Sequence, residues 1–341
     1  MPQPPNSQNK YTPRPEAKPH VWPGRIVLVV LLALVVGIFW QRQAISDWIK
    51  LRGYEPPVAV AQLSRQTTMT AKAQHLFYLN MPLIATKENF GDYCTNREQT
   101  IVLGCYHAGQ DGIYILQIDK RSELYGVMQV TAAHEMLHAA YERLPDNQKQ
   151  ALNKQLETYY ATGLKDEDIK KEIDSYRKTE PKDLVNEMHS IFGTEVRSLP
   201  AGLERYYSQY FGSRKSVVEQ AERYQDAFRS RSAAVAAYDI RLAKLEQTIK
   251  QNEAALKVEA TQLKAQRAQL EAYRRANNVS AFNSLVPVYN TAVREYNTLL
   301  ANTKSVINNY NFIVKKRNAL VVEEQDLVKQ LTGESLPAAQ Q

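Results

Sequence analysis

From Leu285 to Val328 the apolar positions of the chain recur with the period of a long helical seam. Val293, Leu300, Ile307, Val314, Val321 and Val328 stand seven residues apart, and Leu299, Val306, Ile313, Leu320 and Leu327 flank them. Upstream, Leu242, Ile249, Leu256, Leu263 and Leu270 keep the same spacing inside an Ala-, Gln-, Glu-, Lys- and Arg-rich stretch running from Lys215 to about Ala276. A sevenfold repeat is the mark of a coiled-coil helix, and the polar break Asn277-Asn-Val-Ser280 separates the two stretches. The pattern predicts an antiparallel coiled-coil hairpin over 214–332, with Pro287 tolerated in the first turn of the second arm. At 1.5 Å per residue that arm would be about 70 Å long. Arg317 and Glu324 interrupt its seam and read as charges that set register.

Between residues 55 and 213 the periodicity is shorter and mixed. Ala61 to Tyr78 reads as a helix, and the β-rich runs at 100–103 and 113–118, separated by His107-Ala-Gly-Gln-Asp-Gly112, read as a hairpin. Helical stretches follow at Thr131–Tyr141, Asp146–Tyr160, Asp166–Tyr176, Pro181–Phe192 and Pro200–Phe211. The third of these is heavily charged and expected to be exposed. The last carries Tyr206, Tyr207, Tyr210 and Phe211, a cluster of core type, with Tyr206 or Tyr207 as a candidate donor to a tetrahedral intermediate. The expected fold class is α+β, mainly helical, followed by the hairpin.

The N-terminal part has a different character. Residues 1–24 are rich in Pro, Asn and Gln without apolar periodicity, which predicts a disordered tail, as does the stretch 333–341. Ile26 to Trp40 is an unbroken apolar run with Arg25 able to snorkel and Trp22, Trp40 and Trp48 at interface spacing. No small-residue cleavage site follows it, so 25–48 reads as a single uncleaved transmembrane anchor. The short tail favours an N-terminus inside and the bulk of the chain outside the membrane. Cys94 and Cys105, the two cysteines, then become candidates for a disulfide, with buried thiols as the alternative.

Charge narrows the partners. The 341-residue chain has a net charge of +7, and between Arg214 and Lys329 it carries 19 Lys and Arg against 12 Asp and Glu. A solvated helical face accounts for this excess, an anionic lipid or envelope polymer would also suit it, and no nucleic-acid motif accompanies it. The hairpin itself has no chemistry; spacing, self-association and docking of an envelope partner are the roles open to it.

The chemistry lies in Thr131-Ala-Ala-His-Glu-Met-Leu-His-Ala-Ala-Tyr141. On a helix, His134 and His138 at i and i+4 share one face and can address a single ion, with Glu135 beside them. Two imidazoles and one carboxylate leave a position open on Zn²⁺, which lowers the pKa of water held there. The stretch resembles the zincin metallopeptidases, whose longer consensus Thr131 and the surrounding alanines also fit. The resemblance implies Zn²⁺ on His134 and His138, and Glu135 as the general base and proton carrier to the leaving amine. It also implies a short sheet before the metal helix whose edge binds substrate backbone, with Gly112–Ile118 as the candidate edge.

A third ligand must come from elsewhere, because Tyr141 and Leu144 occupy the positions where the metzincin branch has Gly and His. Asn186-Glu187 resembles the glutamate helix of the thermolysin-like gluzincins, which implies Glu187 as the ligand. Ile191 stands where that family has an Asp that orients the first histidine, so the supporting partner is unassigned. Glu195 and His189 remain competitors. Glu187 and His189 lie about 200° apart on a helix and cannot both ligate. The resulting expectation is a membrane-anchored, extracytoplasmic zinc endopeptidase acting on a protein or peptide substrate. The alternative is a non-enzymatic envelope scaffold with a degenerate site, working through its coiled coil.

Overall fold

The computed structural model describes residues 1–3, 28, 30, 31, 41–94, 102–109 and 112–332. The expected tails and most of the apolar run behind the anchor expectation lie outside them. No helix among the described residues is long and apolar enough to cross a membrane. The chain divides into two compact units, Met1–Glu55 and Pro56–Gln341. In the first, residues 41–51 are helical and the Arg52 guanidinium lies 5.3 Å from the centre of the Trp48 ring.

The second unit is mainly helical with one small sheet. Its elements are α1 (Val58–Gln66), α2 (Ala71–Leu79), β1 (Leu83–Ala85), α3 (Lys87–Tyr93), β2 (Gly104–His107), β3 (Gly112–Leu116) and α4 (Gly126–Glu142). There follow α5 (Asp146–Thr162), α6 (Glu167–Thr179), α7 (Leu184–Thr194), α8 (Ala201–Tyr207), α9 (Arg214–Arg275) and α10 (Val279–Thr332). The helix expected over 61–78 is broken in two. Thr67 turns its hydroxyl back onto the Leu63 carbonyl (2.8 Å), Thr68 takes a left-handed φ of 52°, and the Thr70 side chain caps the start of α2.

β2 and β3 form the expected hairpin, pairing antiparallel with Gly104 opposite Ile115 and His107 opposite Gly112. The first strand begins later than the apolar run at 100–103 suggested. β1 adds to β3 in parallel, giving the order β1-β3-β2. Gly112–Ile118 is therefore not the edge expected of it: β3 is central, its backbone engaged on both sides, and β2 has one side unpaired among the described residues.

α4 is the axis of the domain. Every residue from Gly126 to Ala140 is buried except His134, which is half-buried. A helix apolar all round belongs in a core. Here Ala132, Ala133, Ala139 and Ala140 let neighbours approach closely, and α1, α2, α7, α9 and the sheet all pack on it. Against α7 the fit is tightest at Gly193. A Cβ there would overlap Leu137 and stand 2.8 Å from the Tyr207 ring, so this glycine serves helix packing.

α9 and α10 form the antiparallel pair that the sevenfold repeat predicts. Arg317 Nε donates to Asp239 (3.0 Å) and Ser232 Oγ to Glu324 (2.9 Å), partners equidistant from the turn at 276–278, where Asn277 has a φ of 50°. Pro287 lies well inside α10, since that helix starts at Val279 rather than near Leu285. The pair is not a separate appendage. Val217, Val218 and Ala221 of α9 are fully buried in the globular core, which Leu327 and Leu331 of α10 also join. Arg214 fixes this base: it donates to the carbonyls of Phe192 (3.2 Å), Val196 (2.5 Å) and Arg197 (3.0 Å) and pairs with Glu204. Phe192 lies in the last turn of α7 and the other two in the segment just after it, so one guanidinium ties that helix terminus to the root of the hairpin.

Candidate metal centre

His134 and His138 reach one point from successive turns of α4, and Glu187 meets them from the first turn of α7. Glu187 Oε2 lies 3.4 Å from His134 Nε2, and Oε1 lies 3.4 Å from His138 Nε2. All three ligand atoms fall within 4.8 Å of one another, a group that could hold a metal ion. Tetrahedral Zn²⁺ with bonds of about 2.0–2.1 Å would hold neighbouring ligand atoms roughly 3.4 Å apart. Burial would raise the Glu187 carboxyl, but the His138 and His134 rings hold it below its ordinary value, ready to act as an anionic ligand.

The competitors for the third position do not join this group. His189 is fully buried on the far side of α7, where its Nε2 meets the Tyr206 hydroxyl at 3.0 Å and its carbonyl accepts from Tyr207 (2.7 Å). Burial keeps that imidazole neutral, well below its ordinary pKa. Tyr206 also meets the Tyr210 hydroxyl, and neither Tyr206 nor Tyr207 lines the cleft, so the cluster is of core type as expected and the candidate donor role falls away. Ile191 is fully buried in the core, and Glu195 accepts from Gln225 Nε2 (2.7 Å) rather than supporting a histidine.

The triad opens into a cleft of about 690 Å³, walled on one side by residues 102–108 and on the other by α6 and α7. Glu135 lines it and is mostly buried. A Cβ on Gly104 would lie 3.1 Å from Glu135 Oε1, would be 2.8 Å from the Tyr114 carbonyl and would overlap the Thr131 methyl. Only glycine lets β2 lie this close to the metal helix. Gly104→Val is expected to cost about 1–3 kcal/mol by overpacking, measured by denaturant unfolding; an unchanged midpoint would contradict this packing. Two ties hold β2 in place. The Cys94–Cys105 disulfide joins it to the end of α3, and Glu142 of α4 accepts from the Tyr106 hydroxyl and from Gly109 N (2.9 Å).

Glu172 of α6 is the cleft residue that sequence reading missed. It belongs to the stripe Ile169, Glu172, Ile173, Tyr176, spaced i, i+3, i+4, i+7, whose isoleucines are buried. A carboxylate within an apolar stripe was the available signal. Burial, opposed by His134 and reinforced by Glu187, pushes its pKa from 4.5 to about 7. A carboxyl raised in this way costs stability only once ionised. The cost is absent below pH 4.5, grows between 4.5 and about 7, and is full above. In metal-free protein Glu172→Gln is therefore expected to melt on the order of several °C above wild type at alkaline pH and level with it in acid. Parallel melting curves across the range would contradict this environment.

No family model, no curated protein and no solved structure matches the chain.

Proposed function

We propose that the chain is a zinc metallopeptidase with a zincin-like catalytic domain, in which His134, His138 and Glu187 hold Zn²⁺ and Glu135 is the general base. One observation carries the reading: two imidazole nitrogens stand 3.4 Å from the two oxygens of a single carboxylate, at the mouth of an open cleft that Glu135 also lines. The donor set, two nitrogens and one carboxylate with a side left open, suits catalytic rather than purely structural zinc. The ion would supply Lewis-acid polarisation of the scissile carbonyl and a lowered pKa for the attacking water.

The protein's own groups do the rest. Glu135 takes a proton from the water as its oxygen attacks the carbonyl carbon, and passes that proton to the amide nitrogen as the C–N bond breaks. β2 lines the cleft, and its second edge, unpaired among the described residues, would offer its backbone to an extended peptide as one further strand. The disulfide supports action outside the reducing cytosol, in keeping with an N-terminal anchor at 25–48. The hairpin, rooted in the cleft domain, would set the position of the cleft or dock an envelope partner. The test is hydrolysis of unfolded casein by the full chain, abolished by chelation and restored by zinc. Cleavage indifferent to chelator would refute the proposal.

A further inference from the structure

We propose that Glu172 and Glu195 form a subsite for a cationic side chain, Lys or Arg, of the peptide bound in the cleft. The proposal deepens the peptidase reading and rests on it only for what is cleaved, since occupancy of the subsite needs no turnover.

Glu172 is unpartnered and aimed into the cavity. The other acidic residues of α6 all have partners: Glu167 with Lys170 (2.8 Å), Asp168 with Lys171 (3.2 Å), and Asp174 with Arg177 (3.4 Å) and the Tyr160 hydroxyl (2.6 Å). Glu172 makes no hydrogen bond or ion pair among the described residues, although it is half-buried in the wall of the cleft. Its position in the inward stripe with Ile169 and Ile173 aims it there. Glu195 lines the same cavity from the end of α7, and its one hydrogen bond comes from the neutral amide of Gln225.

Among the described residues no Lys or Arg forms an ion pair with either carboxylate. Seven of the residues lining the cleft are acidic, and Lys149 is the single Lys or Arg among them. Lys149 lies over the Tyr141 ring, 5.4 Å from its centre. Arg229, the cation that acts on Glu195, is shared with Asp166 (3.9 Å) and Asp168 (3.6 Å). A chain of net charge +7 thus presents its one catalytic cleft with the opposite sign. Partly buried carboxylates without a paired cation destabilise a fold, so they are most simply kept for a cation that arrives from outside. Tyr224 and Tyr176 also line the cavity, giving aromatic surface for the aliphatic stem that leads to an ammonium or guanidinium.

The test uses the full-length chain carrying Glu135→Gln, zinc-loaded, and fluorescence anisotropy of labelled peptides that differ only in Lys against norleucine, which keeps the stem and lacks the charge. The Lys peptide is expected to bind at least about tenfold more tightly, roughly 1.4 kcal/mol. That ratio should fall to near one when Glu172→Gln and Glu195→Gln are added, with circular dichroism showing the fold retained. Equal affinities in the parent, or a Lys preference surviving both substitutions, would overturn the subsite. Hydrolysis of the same pair by the wild-type chain separates the two readings. Selective binding without hydrolysis keeps the subsite and removes the peptidase, whereas hydrolysis without selectivity keeps the peptidase and removes the subsite.

Discussion

Glu135→Gln is expected to bind one metal ion per chain as wild type does and to lose hydrolysis by about 10²–10⁴-fold, the range a positioned general base supplies. The reason is geometric. Glu135 is one residue beyond His134, and its carboxylate lies against the bare backbone of Gly104 at the cleft wall. It lies outside the set of three ligand atoms and would be free to act on water held by a bound ion. A glutamine keeps the size and a hydrogen bond but cannot take a proton. Metal content by mass spectrometry and initial rates on one preparation check both halves of the claim. Retained activity would remove Glu135 from the chemistry, and loss of metal would make it a ligand.

The second large effect is expected at Glu187. Both of its oxygens are engaged, one toward each histidine, and the residue is buried. Glu187→Ala leaves two imidazoles without an anionic companion and should weaken zinc binding by at least about 10²-fold, beyond the loss typical of groups that only support ligands. Competition against a chromophoric chelator measures it. Glu195→Ala is the control, because its carboxylate is not among the three ligand atoms and should leave zinc affinity within a few fold. If Glu195→Ala released the metal and Glu187→Ala did not, the assignment would pass to Glu195.

How much of this was legible in the sequence depended on whether the signal was local. His134 and His138 lie one helical turn apart, so their shared face follows from spacing alone. The hairpin of α9 and α10 follows from its repeat, down to Arg317 and Glu324 as cross-helix partners. Glu187 required resemblance, because nothing in the spacing of 49 residues from His138 brings α7 onto α4; the packing of Gly193 on Leu137 does that.

What sequence reading missed was decided by tertiary context. The apolar run at 100–103 outweighed Gly104, although the glycine begins the strand that borders the metal helix. Fitting β3 as the edge failed because β1, only three residues long, pairs with it from the other side. The charge of α6 reads as that of a solvated helix and masks the carboxylate among its inward apolar positions. His189 competes with Glu187 in the sequence, and its two-residue offset turns it into the tyrosine cluster behind α7.

The measurement that tests the central claim most directly is a zinc titration of the metal-free full-length chain, following bound zinc and casein hydrolysis together. The account predicts one tightly held zinc per chain and a rate that rises linearly to a plateau at one equivalent. A chain that takes up no zinc, or that hydrolyses equally well without it, would contradict the claim that His134, His138 and Glu187 form a hydrolytic metal centre.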